Sequence, residues 1–73
     1  MKGLERAITI FGSQSALAHE LDVTPQAVQQ WVRYQRVPVA RAIQIERATG
    51  GRVTRYELRP DIFGEPPSKE TAA

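Results

Sequence analysis

The chain of 73 residues has no cysteine, one methionine, one histidine, one tryptophan, two tyrosines and two phenylalanines. Without cysteine, neither a disulfide nor a thiolate zinc site can brace so short a domain, and the composition suits a reducing compartment. One histidine and no cysteine leave no visible nucleophile–base pair, and the carboxylates are scattered along the chain, so an enzyme is not expected. His19 has no second metal ligand at helical spacing. The glycines, at Gly3, Gly12, Gly50-Gly51 and Gly64, form no strand–loop–helix phosphate cradle, and no cofactor is expected. No apolar run approaches the roughly 20 residues of a membrane span, and the N-terminus lacks a signal-peptide core. These absences predict a soluble, cytoplasmic, single-domain protein with no membrane partner.

What is present is helical periodicity. Leu4, Ala7, Ile8 and Phe11 recur at i, i+3, i+4 and i+7, so residues 2 or 3 to 11 read as a first helix. Gly12 ends it and Ser13 caps the next. The stretch QSALAHELDVTPQAVQQWVR, residues 14–33, holds two short amphipathic helices, Gln14 to Leu21 and Pro25 to Tyr34, with a turn too short to be a flexible loop between them. That is a helix-turn-helix pattern. Leu17, Ala18 and Leu21 form the inward face of the first, with the small Ala18 at the crossing point. Asp22 takes the turn position that usually needs Gly, and Asp is one of the few side chains that visits positive φ readily. Val23 plugs the turn, Thr24 is the N-cap and Pro25 occupies the first helical position. Val28, Trp31 and Val32 give the second helix a buried stripe.

Tyr34-Gln35-Arg36-Val37 is a connector, and Pro38 can open a fourth helix with Val39, Ala42, Ile43 and Glu46 along one face and Ile45, Ala48 and Thr49 beside it. Gly50-Gly51 stops that helix, the first glycine as a left-handed residue. A short helix or turn runs from Thr54 to Arg59 and ends at Pro60. Residues 1–63 therefore read as one all-α domain, a compact four- to five-helix bundle. Residues 64–73, GEPPSKETAA, read as a flexible tail.

Net charge is only +2, but residues 22–60 carry seven Arg and no Lys against Asp22, Glu46 and Glu57. Arg suits bidentate recognition of phosphate and base edges, although a basic face can equally be a solvated one. Opposite the buried stripe of residues 25–34 stand Gln26, Gln29, Gln30 and Arg33. A glutamine amide presents a donor and an acceptor and fits adenine N6 and N7 in the major groove. Double-stranded DNA is therefore the expected partner, with Gln26 and Gln29 at base edges, Thr24 and Gln30 at base or phosphate, and Arg33 at the groove edge. Gln14, Ser13 and Ser15 lie at a helix start suited to phosphate, with capping the weightier duty of Ser13. Arg36 and Arg41 are candidates for the DNA backbone on the far side of the groove, or else exposed charges of little consequence. Trp31 belongs to the core.

The spacing Gln14, Ala18, Leu21, Val23, Val28, Trp31 resembles helix-turn-helix domains of the Cro and λ-repressor type. The run VPVARAIQIERATGGRVTRYELRPDIF, residues 37–63, resembles more specifically the small Cro-like regulators of phages and prophages grouped with the YdaS antitoxin-type family. The resemblance implies a five-helix bundle that binds operator DNA, commonly a pseudo-palindrome, and represses transcription. It places groove-reading positions on Thr24, Pro25, Gln26, Gln29, Gln30 and Arg33, and phosphate-contacting positions on Gln14 and Ser15. Useful specificity from so small a domain needs two copies on adjacent half-sites, so a weak homodimer or a dimer formed on DNA is expected. Its candidate surface is Tyr56, Leu58, Ile62 and Phe63, of which Leu58 and Ile62 read rather as a lid on the core. The alternative is an antitoxin-type or anti-regulator module whose partner is another protein.

Overall fold

Leu4, Ala7, Ile8 and Phe11 wind onto the inward face of α1 (Lys2–Phe11) in the computed structural model, which describes residues 2–65. Leu4 and Ala7 are fully buried, while Ile8 and Phe11 pack at the margin of the core. Gly12, at φ 106, turns the chain into α2 (Gln14–Leu21). Ser13 caps α2 through its Oγ, which accepts from the Ala16 N–H at 3.0 Å. Leu17, Ala18 and Leu21 are the buried face of α2, as their spacing predicts.

The turn into α3 (Pro25–Tyr34) is built as expected. Asp22 stands at φ 57, ψ 45, with its N–H on His19 O at 3.2 Å, and the Val23 N–H reaches Ala18 O at 2.9 Å. Those two bonds satisfy carbonyls that the helix end would otherwise leave open. Thr24 Oγ1 then accepts from the Ala27 N–H at 3.2 Å, and Pro25 opens the helix. Val28 and Trp31 are buried; Val32 is half-buried, at the edge of the stripe predicted for it.

The end of α3 repeats the device. Gln35 adopts φ 52, and the Gln35 and Arg36 N–H groups bond Val32 O and Trp31 O at 3.4 and 3.0 Å. This second left-handed non-glycine residue was not foreseen, because Gln carries no turn signal. A third such closure ends α4 (Val39–Ala48) at Gly50, with Gly50 and Gly51 N–H on Arg47 O and Glu46 O.

The buried stripe of α4 is a correction. Ala42, Ile45 and Thr49 face inward, whereas Val39 and Ala48 are exposed and Ile43 and Glu46 are half-buried. The broad side predicted for α4 is narrower than expected: its Ala42–Ile45–Thr49 edge is buried, and the edge that begins at Val39 is not. Thr49 earns its buried place through hydrogen bonds: Oγ1 donates to Ile45 O at 2.9 Å and accepts from the Val53 N–H at 3.1 Å.

Beyond Val53 the chain forms two single-turn helices, α5 (Arg55–Leu58) and α6 (Pro60–Phe63), where one short element was predicted. Pro60 does end α5, but its fixed φ also starts α6. Thr54 and Glu57 form a reciprocal capping box at α5. Leu58 is the predicted lid of the core; Ile62 is not, being 53% exposed. α6 is a single turn, and Phe63 takes its place against the core instead.

Leu4, Leu17, Leu21, Val28, Val37, Ile45, Val53 and Leu58 are all less than 2% exposed and, with Trp31, make one continuous core. Burying each contributes about 1.5–3 kcal/mol, which is how so short a chain holds together without staples. α2 sits at the centre, packed on α1, α3 and α4, and α1 closes against α5. No helix of the described residues is long and apolar enough to cross a membrane. The tail predicted for residues 64–73 lies, from residue 66, outside the described residues.

Candidate nucleic-acid interface

The packing of α3 decides which of its residues remain outside. With Val28 and Trp31 turned inward, a period of about 100° per residue leaves Gln26, Gln29, Gln30 and Arg33 exposed. Among the described residues, no hydrogen bond engages the amides of Gln26, Gln29 or Gln30. Gln44 makes the contrast: its Nε2 donates to Leu21 O at 3.1 Å and its Oε1 accepts from Arg41 Nη1 at 2.7 Å. The α3 amides thus keep their full donor and acceptor capacity for an outside partner.

Gln14, from the start of α2, joins them. Gln14, Gln26, Gln29, Gln30, Val32 and Arg33 line one shallow depression of about 440 Å³. The residue of α2 expected at phosphate and the residues of α3 expected in the groove therefore share a surface, and Ser13 and Ser15 are exposed beside Gln14. Ser13 and Thr24 each spend one oxygen lone pair on a backbone N–H group. Each hydroxyl proton is left free to donate. Val32 had been assigned to the core, and its half-exposed position is an apolar wall of the depression.

A second depression, of about 630 Å³, lies at the other end of α3, where Gln30, Tyr34 and Arg36 stand over Trp31, Pro38 and Arg59. Tyr34 is 68% exposed, with the Arg33 guanidinium carbon 5.7 Å from its ring centroid. Sequence reading gave Tyr34 no role; an exposed aromatic one step past the buried stripe was the available signal.

Electrostatics separate the arginines into two groups. Arg6 pairs with Glu57 at 2.9 Å, Arg55 with Glu46 at 2.6 Å and Arg59 with Asp61 at 2.7 Å. Arg33 and Arg36, on the α3 side, make no ion pair among the described residues and stay available beside the free amides, as Arg47 and Arg52 stay available elsewhere on the surface. Arg41, a candidate for the DNA backbone on the far side of the groove or else an exposed charge, is not the exposed charge of that alternative. It is half-buried, and Nη1 bonds both Gln44 Oε1 and, at 3.4 Å, the Leu21 carbonyl, making it a strut between α4 and the end of α2. Tyr56 and Phe63 meet edge to face at 6.2 Å on α5 and α6, with the Arg55 guanidinium over the Phe63 ring. They are not part of either depression on α3.

The family described as "Bacterial toxin YdaS" matches residues 4–67. The chain belongs to the YdaS family. This YdaS-family chain is 46% identical over 59 residues to the candidate transcriptional regulator YdaS of Escherichia coli (strain K12), a match covering 80% of this chain and 60% of that protein. It thus spans about 60% of the length of that curated relative. Among solved structures it is similar to the Cro protein from the candidate prophage element Xfaso 1 in Xylella fastidiosa strain Ann-1. There the identity is 48% and the TM-score 0.84, over 89% of this chain and 100% of the other. At that identity and score the Cro-type helix-turn-helix arrangement of α2 and α3 is shared by the two chains.

Proposed function

We propose that this YdaS-family chain is a sequence-specific DNA-binding transcriptional regulator, a Cro-like repressor that lays α3 in the major groove of a pseudo-palindromic operator. The observation that carries this reading is the single surface on which the unengaged amides of Gln26, Gln29 and Gln30 meet Gln14 and Arg33. In this reading Gln26 and Gln29 contact base edges, Gln30 and Thr24 reach base or phosphate, Pro25 packs at the groove floor and Arg33 lies at its edge. Gln14, Ser15 and the Ser13 hydroxyl hold the phosphate on one side of the groove, and Arg36 the other. Arg41 contributes by bracing α2 against α4. The name of the Escherichia coli relative and the Cro designation of the Xylella protein support the same assignment.

Two copies on half-sites about one helical turn apart supply the specificity that one small domain lacks. Ile62 with the edges of Tyr56 and Phe63 is the apolar surface proposed for that pairing, formed weakly or only on DNA.

The decisive experiment is an unbiased selection of bound duplexes followed by titration at two salt concentrations. The reading expects a two-fold related site bound far more tightly than random duplex, over a weak background that falls steeply with salt. Equal affinity for every duplex, vanishing at physiological salt, defeats it and leaves the protein-partner alternative.

A further inference from the structure

The depression at the far end of α3 has a lining of one chemical kind. Gln30, Tyr34 and Arg36 stand over Trp31, Pro38 and Arg59, and no carboxylate is among its lining residues. Every polar side chain of that set can donate a hydrogen bond, and two carry positive charge. Arg59 is already engaged: it is buried, its Nη1 donates to Val37 O at 2.9 Å, and its Nε and Nη2 fork onto Asp61 at 2.9 and 2.7 Å. Arg36 is exposed, and its guanidinium enters no ion pair or hydrogen bond among the described residues. The same holds for the hydroxyl of Tyr34, a residue 68% exposed. A free cation beside two free neutral donors is complementary to an anion with several acceptor oxygens.

Tyr34 is placed by the helix and not by a loop. Gln26, Gln30 and Tyr34 follow at i, i+4 and i+8, so they stand on one ridge of α3, about 6 Å apart along its axis. The phenol thus continues the amide row by one turn, past the N-terminal half of the helix proposed to read bases. The backbone beneath it is closed, because Gln35 turns left-handed at φ 52 and the Arg36 N–H returns to Trp31 O at 3.0 Å. Over the ring lies the Arg33 guanidinium, its carbon 5.7 Å from the centroid, and an aromatic face attracts a cation there without consuming its N–H donors.

We propose that this depression seats a phosphodiester of the DNA backbone and that Tyr34 is one of its contacts. The phenol donates to an oxygen of the phosphate that Arg36 holds by charge, and its ring keeps the Arg33 guanidinium at the groove edge. The inference rests on the DNA-binding reading, which gave Tyr34 no part. Such a contact names no base; it fixes how far α3 runs along the groove and so the register of the amides.

The operator recovered by selection is titrated with the full chain and with Tyr34→Phe, first as the natural duplex and then with single phosphates replaced by uncharged methylphosphonates. Tyr34→Phe keeps the ring and loses only the donor, so the melt should not change. It should select the same operator and keep the parent slope of log K against log salt, since no cation is removed. Binding should weaken roughly 10-fold per half-site, the size of a hydrogen bond to a charged acceptor. That loss should disappear at one phosphate of each half-site: with the methylphosphonate there, parent and Tyr34→Phe should agree within about 2-fold, as groups in contact are not additive. Arg36→Gln should lose its sensitivity to neutralisation at that same phosphate. Parent affinity for Tyr34→Phe on the natural duplex overturns the proposal. So does a loss that persists at every methylphosphonate position, or an Arg36→Gln response at a different phosphate. A parent chain that binds no duplex defeats the DNA-binding reading and this proposal together, whereas the other adverse results defeat this proposal alone.

Discussion

Replacing Gln29 by Ala separates recognition from folding, because the side chain is exposed and no hydrogen bond within the described residues engages it. Ala is the better helix former by a few tenths of a kcal/mol, and surface changes of this kind stay within about 0.5 kcal/mol, so the melting temperature should hardly move. The bound state loses much more. A bidentate amide–adenine contact is worth about 1–3 kcal/mol of discrimination, roughly 5- to 150-fold in affinity on one half-site. Two half-sites are far enough apart for their losses to add, giving about 2–6 kcal/mol on the whole operator. Since Gln29 carries no charge, the salt dependence should be that of the parent. The assay is a repeated selection of bound duplexes, with titrations of the parent site and the site altered at the position whose preference disappears. The expected signature has three parts: an unchanged melt, an unchanged salt slope and one base-pair preference lost in each half-site. A variant that selects the same operator with the same affinity refutes the placement of Gln29 at a base edge.

Other perturbations test the frame that presents α3. Trp31→Ala removes the largest side chain of the core and should cost about 3–5 kcal/mol, comparable to the whole stability of a domain this size, so far-UV circular dichroism should show little cooperative melting. Thr24→Ala deletes the cap on Ala27 N–H and should lower stability by about 1 kcal/mol, a fall of roughly 4–8 °C in melting temperature. Asp22→Gly, at φ 57, should leave stability unchanged or raise it by up to about 1 kcal/mol in a urea titration; a clear loss would mean that the carboxylate contributes something beyond backbone geometry. The Asp61 carboxyl titrates near 2 instead of the usual 3.8, so its stabilising effect is complete above pH 4 and is lost as the pH falls toward 2. Melting temperatures over that interval should fall more steeply for the parent than for Asp61→Asn, and parallel curves would contradict the pairing.

The elements that sequence made legible are those whose signals are local. Caps at Ser13 and Thr24, a proline at the head of α3 and the spacing of Leu17, Ala18, Leu21, Val28 and Trp31 each act within one turn of the chain, and together they specify α2, the turn and α3. The exposed amide face follows from the buried one by helical geometry. What escaped was fixed at a distance. Which edge of α4 is buried depends on how the connector is anchored, which involves the Val37 carbonyl and a guanidinium 22 residues later. Arg41 reads as one more surface cation until the Leu21 carbonyl is placed beside it. Arg59 reads as the residue before a proline, and nothing in its neighbourhood announces a buried charge. Ile62 and Phe63 adjoin in sequence, and only tertiary packing decides which of them faces the core.

Glu57 ties the two extremes of the described chain together: its carboxylate completes the cap of α5 and also receives Arg6 from α1, 51 positions earlier. Beside that clasp, a β-carbon added to Gly3 would come within 3.2 Å of a Leu58 methyl group, close enough that the Leu58 side chain would have to give by a few tenths of an ångström. Contacts of such long separation are slow to find, whereas α2 and α3 are neighbours along the chain. The α2–α3 hairpin should therefore assemble early and the clasp should shut last. Loosening the clasp should quicken unfolding while hardly altering the rate at which the hairpin forms.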